Sequence, residues 1–307
     1  MFQIIQRRYF YFALSGMLIL SGVIAMLISW SIAGQPFGIS VDFVGGARFE
    51  VQFSEPVQET GIRDVLRQFG LSNPAVIELT GDELTNAWQI RSETVTPEQG
   101  QEITRALSEQ LAPLIPNTTQ FENVSPSIGA EVTRAAWIAI VVAAAIILVY
   151  IAIAFRQVPS PMRYGACAVS AMVHDLFIIF GFMAIMGVIA GWEVDALFVT
   201  AVLTIAGFSL QDTIVVFDRI RENIGVRPNE PYEVIVNRSI LETIHRSLAT
   251  QLAAMFVMVA LILFGGPSIR QFISVLFVGL LSGTYSSIFH AVPLLAEWEI
   301  RSPSEII

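Results

Sequence analysis

Six apolar runs constrain this chain more than any other feature. They fall at roughly 9–33, 135–155, 164–190, 196–217, 247–264 and 272–295. A helix rising about 1.5 Å per residue needs about 20 such residues to cross the ~30 Å hydrocarbon core. Within that core only helices or closed barrels satisfy their backbone polar groups. Six spanning helices are therefore predicted. Composition agrees: 54% of the 307 residues are hydrophobic and only 14% are charged, against roughly 25% charged in a soluble domain. The first run is too long for a cleavable signal peptide, and no small-x-small site precedes the next segment.

Arginine placement predicts the orientation. Every one of the 17 cationic side chains is arginine. Arg7 and Arg8 precede the first run, Arg156 and Arg163 flank the turn between the second and third, and Arg301 follows the sixth. Arg219, Arg221, Arg227 and Arg238 lie between the fourth and fifth. These positions share one side, which is expected to be cytoplasmic together with both termini. The connection 218–245 is too polar to span, and its Val234, Ile235, Ile240, Leu241 and Ile244 are spaced as in an amphipathic helix, expected around 228–245 at that interface.

The segment 35–134 is expected to be a separate extracytoplasmic domain between residues 1–34 and 135–307. Residues 47–53 alternate as a strand does, and 57–69 carry helical spacing at Val57, Ile62, Val65, Leu66 and Phe69. Two further strands, 75–80 and 87–92, flank a polar turn containing Gly81 and Asp82. Thr96 begins a second helix, with Pro97 at its first position and Gln99 at its third. A last strand is expected at 118–123. The order β-α-β-β-α-β is ferredoxin-like.

Within the fourth run sits Asp212, preceded by about a dozen apolar residues. An ionised carboxylate in hydrocarbon costs at least several kcal/mol, so such a residue marks an ion relay or an ion pair by default. Arg246 opens the fifth run and offers an opposite charge. Asp175, with His174 beside it, lies inside the third run and is a second relay candidate. A structural reading competes at each position: Arg246 can snorkel to headgroups, and Asp175 can hold a neighbouring helix in register. His174 and His290 read as packing or hydrogen-bonding residues. The single cysteine, Cys167, excludes disulfides and cysteine-based metal sites and reads as packing. A net charge of −9 argues against nucleic acid. The acids and arginines of 218–222 are explained by an i,i+3/i+4 charge lattice.

Residues 207–223 read GFSLQDTIVVFDRIREN, which resembles the signature of the SecF family of Sec protein-translocase subunits. Other marks follow in order: DFVGG at 42–46, PSIGAE at 126–131, the pair His174–Asp175, and GTYSS at 283–287. Phe208 and Gln211 depart from the usual tyrosine and asparagine. The resemblance implies half of an RND-type bundle that pairs with a SecD subunit and works with the Sec translocation channel on unfolded preproteins in the bacterial inner membrane. It implies a proton relay through Asp212 and Arg246, with sodium as the alternative coupling ion and no cofactor. It gives Asp42, Gly45, Gly46, Gly207, Ser209 and Gly283 structural roles. Gly45 and Gly46 suit a tight turn, and Gly283 suits a close helix–helix contact. Three competing readings are a small-molecule RND exporter, a passive scaffold and an intramembrane aspartyl protease using Asp175 with Asp212. A single small domain disfavours the first, and GFSLQD is not the GxGD context of such proteases.

Overall fold

The computed structural model describes residues 4–71, 74–79, 85–116, 118–156 and 160–302. The turn with Gly81 and Asp82 lies outside them. The chain divides into two compact units, one of 1–28, 139–182 and 197–307, the other of 29–138 and 183–196.

In chain order the elements begin with α1 (Arg8–Ala33), β1 (Gly38–Ile39), α2 (Val41–Val44), β2 (Gly46–Gln52), α3 (Glu59–Gln68), β3 (Ala75–Leu79) and β4 (Ala87–Ser92). They continue with α4 (Pro97–Gln110), β5 (Gln120–Val124), α5 (Pro126–Ala154), α6 (Pro161–Ala190), β6 (Glu193–Val194) and α7 (Ala196–Val226). Last come α8 (Tyr232–Phe264), α9 (Pro267–Ser286), a π-helical turn (Ser287–Ala291) and α10 (Val292–Arg301).

Among the described residues six helical stretches are long and apolar enough to cross a membrane, the last running from α9 through α10. α5 begins at Pro126, ahead of the apolar run, so the PSIGAE residues form its first turns. The polar connection after the fourth run is mostly helix. α7 continues to Val226 and α8 starts at Tyr232, so the expected interfacial helix is the first part of one unbroken helix. Its Val236 and Ile240 are buried in the bundle core with Phe155, Tyr164, Cys167, Phe217 and Leu295. Polar groups extend both helices beyond their apolar stretches. Asp218–Arg221 (2.6 Å) and Arg219–Glu222 (2.7 Å) close i,i+3 pairs on α7. Arg219 reaches Glu242 across to α8 at 2.6 Å, and Asn223 Nδ2 donates to Ser239 Oγ at 2.9 Å.

The π-helical turn follows from Pro293 at the start of α10. Proline lacks the N–H for an i−4 bond and its ring crowds the carbonyl four residues back, so the chain widens there. α1 meets α6 through glycines: a Cβ at Gly22 would lie 3.1 Å from Gly181 Cα.

The second unit contains the four-stranded antiparallel sheet β3-β4-β2-β5, covered by α3 and α4. This is the ferredoxin-like order expected from the sequence. Phe49, Ile90, Ile62, Leu66, Ile103 and Leu107 form its buried centre. Thr96 caps α4 by accepting from the Gln99 backbone N–H at 3.2 Å, as predicted. The Gln99 side chain instead donates to the Phe69 carbonyl at 3.5 Å. A two-stranded parallel sheet, β1 with β6, adds to this unit residues that lie between the third and fourth apolar runs.

Candidate functional site

α7 buries one face built from residues spaced three and four apart: Ile205, Ser209, Asp212, Thr213 and Val216. Asp212 is 6% exposed and accepts a 2.6 Å hydrogen bond at Oδ2 from Gln251 Nε2 of α8. Gln251 belongs to a polar stripe on the buried side of α8 that recurs every four residues: Ser239, Thr243, Ser247, Gln251. Arg246 does not share that face. Five residues separate it from Gln251, about 140° around a helix of 3.6 residues per turn, and its side chain is exposed and outside any ion pair among the described residues. The structure therefore does not bring Asp212 and Arg246 together. Gln211 is also exposed, so the amide that meets Asp212 comes from another helix.

The second carboxylate is more fully partnered. Asp175 of α6 is 1% exposed. Its Oδ2 accepts from Ser209 Oγ of α7 at 2.6 Å and from Ser286 Oγ of α9 at 2.8 Å. Its Oδ1 accepts from Ser282 Oγ at 2.6 Å and lies 3.1 Å from His174 Nδ1. Three helices thus converge on one carboxylate, which suits an ionised group taken out of water. Gly283 lies beside it: a Cβ there would be at ordinary contact distance, 3.4 Å from Ser209 Cβ and 3.6 Å from Asp175 Oδ2. Ser209 therefore acquires a specific role at Asp175. Gly207 has open space beside it and no close neighbour that would require glycine.

The remaining motif residues meet in the second unit. Ser40 caps the short helix α2 by accepting from the Asp42 N–H at 3.3 Å. Asp42 Oδ2 in turn accepts from the Ala196 N–H at 3.2 Å, placing a carboxylate at the N-terminus of α7, where a helix favours negative charge. Gly45 has φ +76°, and a Cβ there would lie 2.8 Å from Pro126 Cα. Gly46 has φ +120°, and a Cβ would lie 2.7 Å from the Ser92 carbonyl. Only glycine fits either turn position. A Cβ at Gly129 would lie 2.9 Å from the Phe43 carbonyl, so the DFVGG and PSIGAE segments are packed backbone to backbone.

Two groups escape the sequence reading. Gln251 carries no motif, although the four-residue polar recurrence along an otherwise apolar helix was a usable signal. Glu193 of β6 is 3% exposed, paired with Arg91 at 2.9 Å and within 3.8 Å of Arg48. Burial outweighs both arginines and pushes its carboxyl up to about 7. No sequence pattern links β6 to the sheet arginines. Among the described residues no group of three His, Cys, Asp or Glu side chains is placed to hold a metal ion.

Known proteins resemble the chain along nearly its whole length. The family model for the protein export membrane protein SecD/SecF, C-terminal, matches residues 103–301, and the SecD/SecF GG motif matches 30–57. The chain is 40% identical to the protein translocase subunit SecF of Thermobaculum terrenum, covering 97% of this chain and 94% of that protein. It is 38% identical to the SecF of Anaerolinea thermophila over 97% and 94%. The SecDF of Thermus thermophilus is 30% identical over 92% of this chain and 37% of that longer protein. A crystal structure of SecDF from that organism superposes with a TM-score of 0.80 at 28% identity, covering 98% of this chain and 39% of that one.

Proposed function

We propose that this chain, which belongs to the SecD/SecF family of protein-export membrane proteins, is the SecF-type auxiliary subunit of a Sec preprotein translocase. It pairs with a SecD partner and uses the proton-motive force to draw or release unfolded preproteins after they pass the Sec channel. The fused SecDF relative supports the pairing, since this chain corresponds to 37% of that protein. The arginine asymmetry supports a bacterial inner-membrane orientation with cytoplasmic termini and an extracytoplasmic ferredoxin-like domain.

One observation carries the energetic part of this reading: Asp212 is a buried carboxylate, within a spanning helix, whose hydrogen-bond partner is the neutral amide Gln251. Such a group has two accessible states. Ionised, it accepts from Gln251 Nε2. Protonated, it gains an O–H donor, which the same amide can accept through Oε1 after turning over. Each state favours its own packing of α7 against α8. Arg246 is the cation of the second packing, reached when α8 turns its exposed face toward Asp212. Asp175 is the second relay group. The proton is the coupling ion, and a sodium gradient is the alternative to be tested against it.

The test is reconstitution of the chain with SecD and the Sec channel under an imposed proton gradient. Asp212→Asn and Arg246→Ala should each abolish the gradient-dependent part of export while leaving assembly intact. Undiminished export in Asp212→Asn would overturn the relay. Export driven equally by sodium alone would reassign the ion.

A further inference from the structure

The buried carboxylate Asp175 does not stand alone in the bundle. His174 is 2% exposed, and its Nδ1 faces Asp175 Oδ1 at 3.1 Å. Its ring centroid lies 5.2 Å from that of His290, with the planes inclined by 33°. His290 Nε2 is 3.0 Å from Ser170 Oγ, one to two turns before Asp175 on α6. Each imidazole keeps one buried nitrogen without a hydrogen-bond partner among the described residues, His174 Nε2 and His290 Nδ1. Buried polar atoms left unpaired are uncommon and call for an explanation. His290 also sits in the π-helical turn Ser287–Ala291, a local geometry that recurs at functional sites. A pair of purely packing side chains would not need two orphaned nitrogens.

We propose that His174 and His290 form a proton-transfer pair that loads and unloads Asp175. This rests on the reading of the protein as proton-coupled and extends the relay to groups beyond Asp212. A proton arriving at His174 Nε2 forms one N–H bond there, and the Nδ1–H bond breaks as its proton passes to Asp175 Oδ1. The imidazole ends neutral in the opposite tautomer, and the carboxylate ends as a neutral acid. His290 supplies that proton from the Ser170 side after a rotation about χ2, a broad torsion for histidine. Neutral Asp175 accepts more weakly from Ser209, Ser282 and Ser286, so loading the pair loosens the tie between α6, α7 and α9.

Among the described residues a further titratable side chain facing His174 is Tyr285, whose ring centroid is 5.9 Å away. Its hydroxyl is committed to the Tyr11 carbonyl at 2.9 Å and to Ser15 at 3.4 Å, which removes it from the path. Among the described residues α1 presents the Phe12 ring to His290, and α7 presents Ser209, with no charge, to Asp175.

The chain has three histidines, His174, His245 and His290, so imidazole ¹⁵N resonances are assignable in the full chain in lipid nanodiscs by single substitutions to glutamine. Coupled sites titrate as a pair. His290→Gln and Asp175→Asn should each move the His174 midpoint by about one pH unit or more, and His245→Gln should leave it in place. In the unsubstituted chain the infrared carbonyl band of protonated Asp175 should rise together with the His174 tautomer change. Reconstituted with SecD, His174→Gln and His290→Gln should lower proton flux by about tenfold or more.

Independent titration of His174 and His290 overturns the proposal, as does the absence of the carboxyl band. The two readings fail separately. If Asp212→Asn abolishes flux while the histidines titrate independently, the family function stands and the pair falls. If the histidines are coupled but Asp212→Asn retains full flux, the pair stands and the relay through Asp212 falls.

Discussion

Gln251 Nε2 on α8 donates to Asp212 Oδ2 on α7 at 2.6 Å, and both side chains are more than nine-tenths buried. A neutral amide, not a guanidinium, therefore holds the membrane carboxylate in this state. Hydrogen bonds to charged groups are worth ~1.5–3 kcal/mol, while polar pairs between membrane helices average ~0.6 and reach ~1.7. With the carboxylate ionised, the Asp212 pair belongs near the upper membrane value. Gln251→Leu should destabilise the bundle by about 1–2 kcal/mol. In a double-mutant cycle with Asp212→Asn, measured by reversible unfolding in mixed micelles, the coupling should reach ~1 kcal/mol. A coupling near zero would mean that the two side chains act independently.

The α1–α6 crossing has no room for a side chain. A Cβ at Gly181 collides with Gly22 Cα, and the reverse substitution comes within 3.1 Å. Small residues let membrane helices approach closely enough for backbone packing. Gly181→Val should force the helices apart and cost about 1–3 kcal/mol, the usual penalty of overpacking. Gly207→Val is the control, since open space surrounds Gly207. Thermal unfolding of the two variants should differ in that order, and equal stabilities would contradict the close crossing.

At the entrance to β2, Gly46 combines φ +120° with a carbonyl 2.7 Å from any added Cβ. Backbone strain and steric contact therefore penalise the same substitution. Gly46→Ala should weaken the sheet unit by about 2 kcal/mol or more. Hydrogen exchange across β2, β4 and β5 in the full chain reads the effect. Gly70→Ala, with φ +80° but open space, should cost less, and equal costs would assign the penalty to φ alone.

Glu193 makes the sheet unit sensitive to pH. Its carboxyl is held at about 7 against a usual 4.5, chiefly by burial, with Arg91 and Arg48 opposing. A carboxyl raised on folding binds its proton more tightly in the folded state. Its contribution is therefore fully present below about 4.5 and is lost as pH rises through about 7. Stability of the segment joining β6 to β1 should fall across that window by up to ~3 kcal/mol. Glu193→Gln should flatten the profile. Local opening free energies from hydrogen exchange, corrected for intrinsic rates, provide the measurement, and an unchanged slope in the variant would assign the titration elsewhere.

The length of the apolar runs determined that this chain carries six spanning helices, because a bilayer leaves the backbone no alternative. Two-residue alternation and the Thr96 cap determined the ferredoxin-like module, since both are local and survive without knowledge of neighbours. The GFSLQD stretch and its companion motifs determined the family. Pairing across helices was another matter. Arg246 looked like the partner of Asp212 because opposite charges on successive spans attract, yet helix rotation turns it about 140° from the face that Gln251 occupies. Asp175 was visible as an anomaly, but its ring of Ser209, Ser282 and Ser286 required α6, α7 and α9 to be packed first. Glu193 became a buried titrating group only when β6 paired with β1 beside Arg91. Periodicity fixes which face of an element is buried; the rotation and register of its neighbours, set by tertiary packing, decide what that face meets.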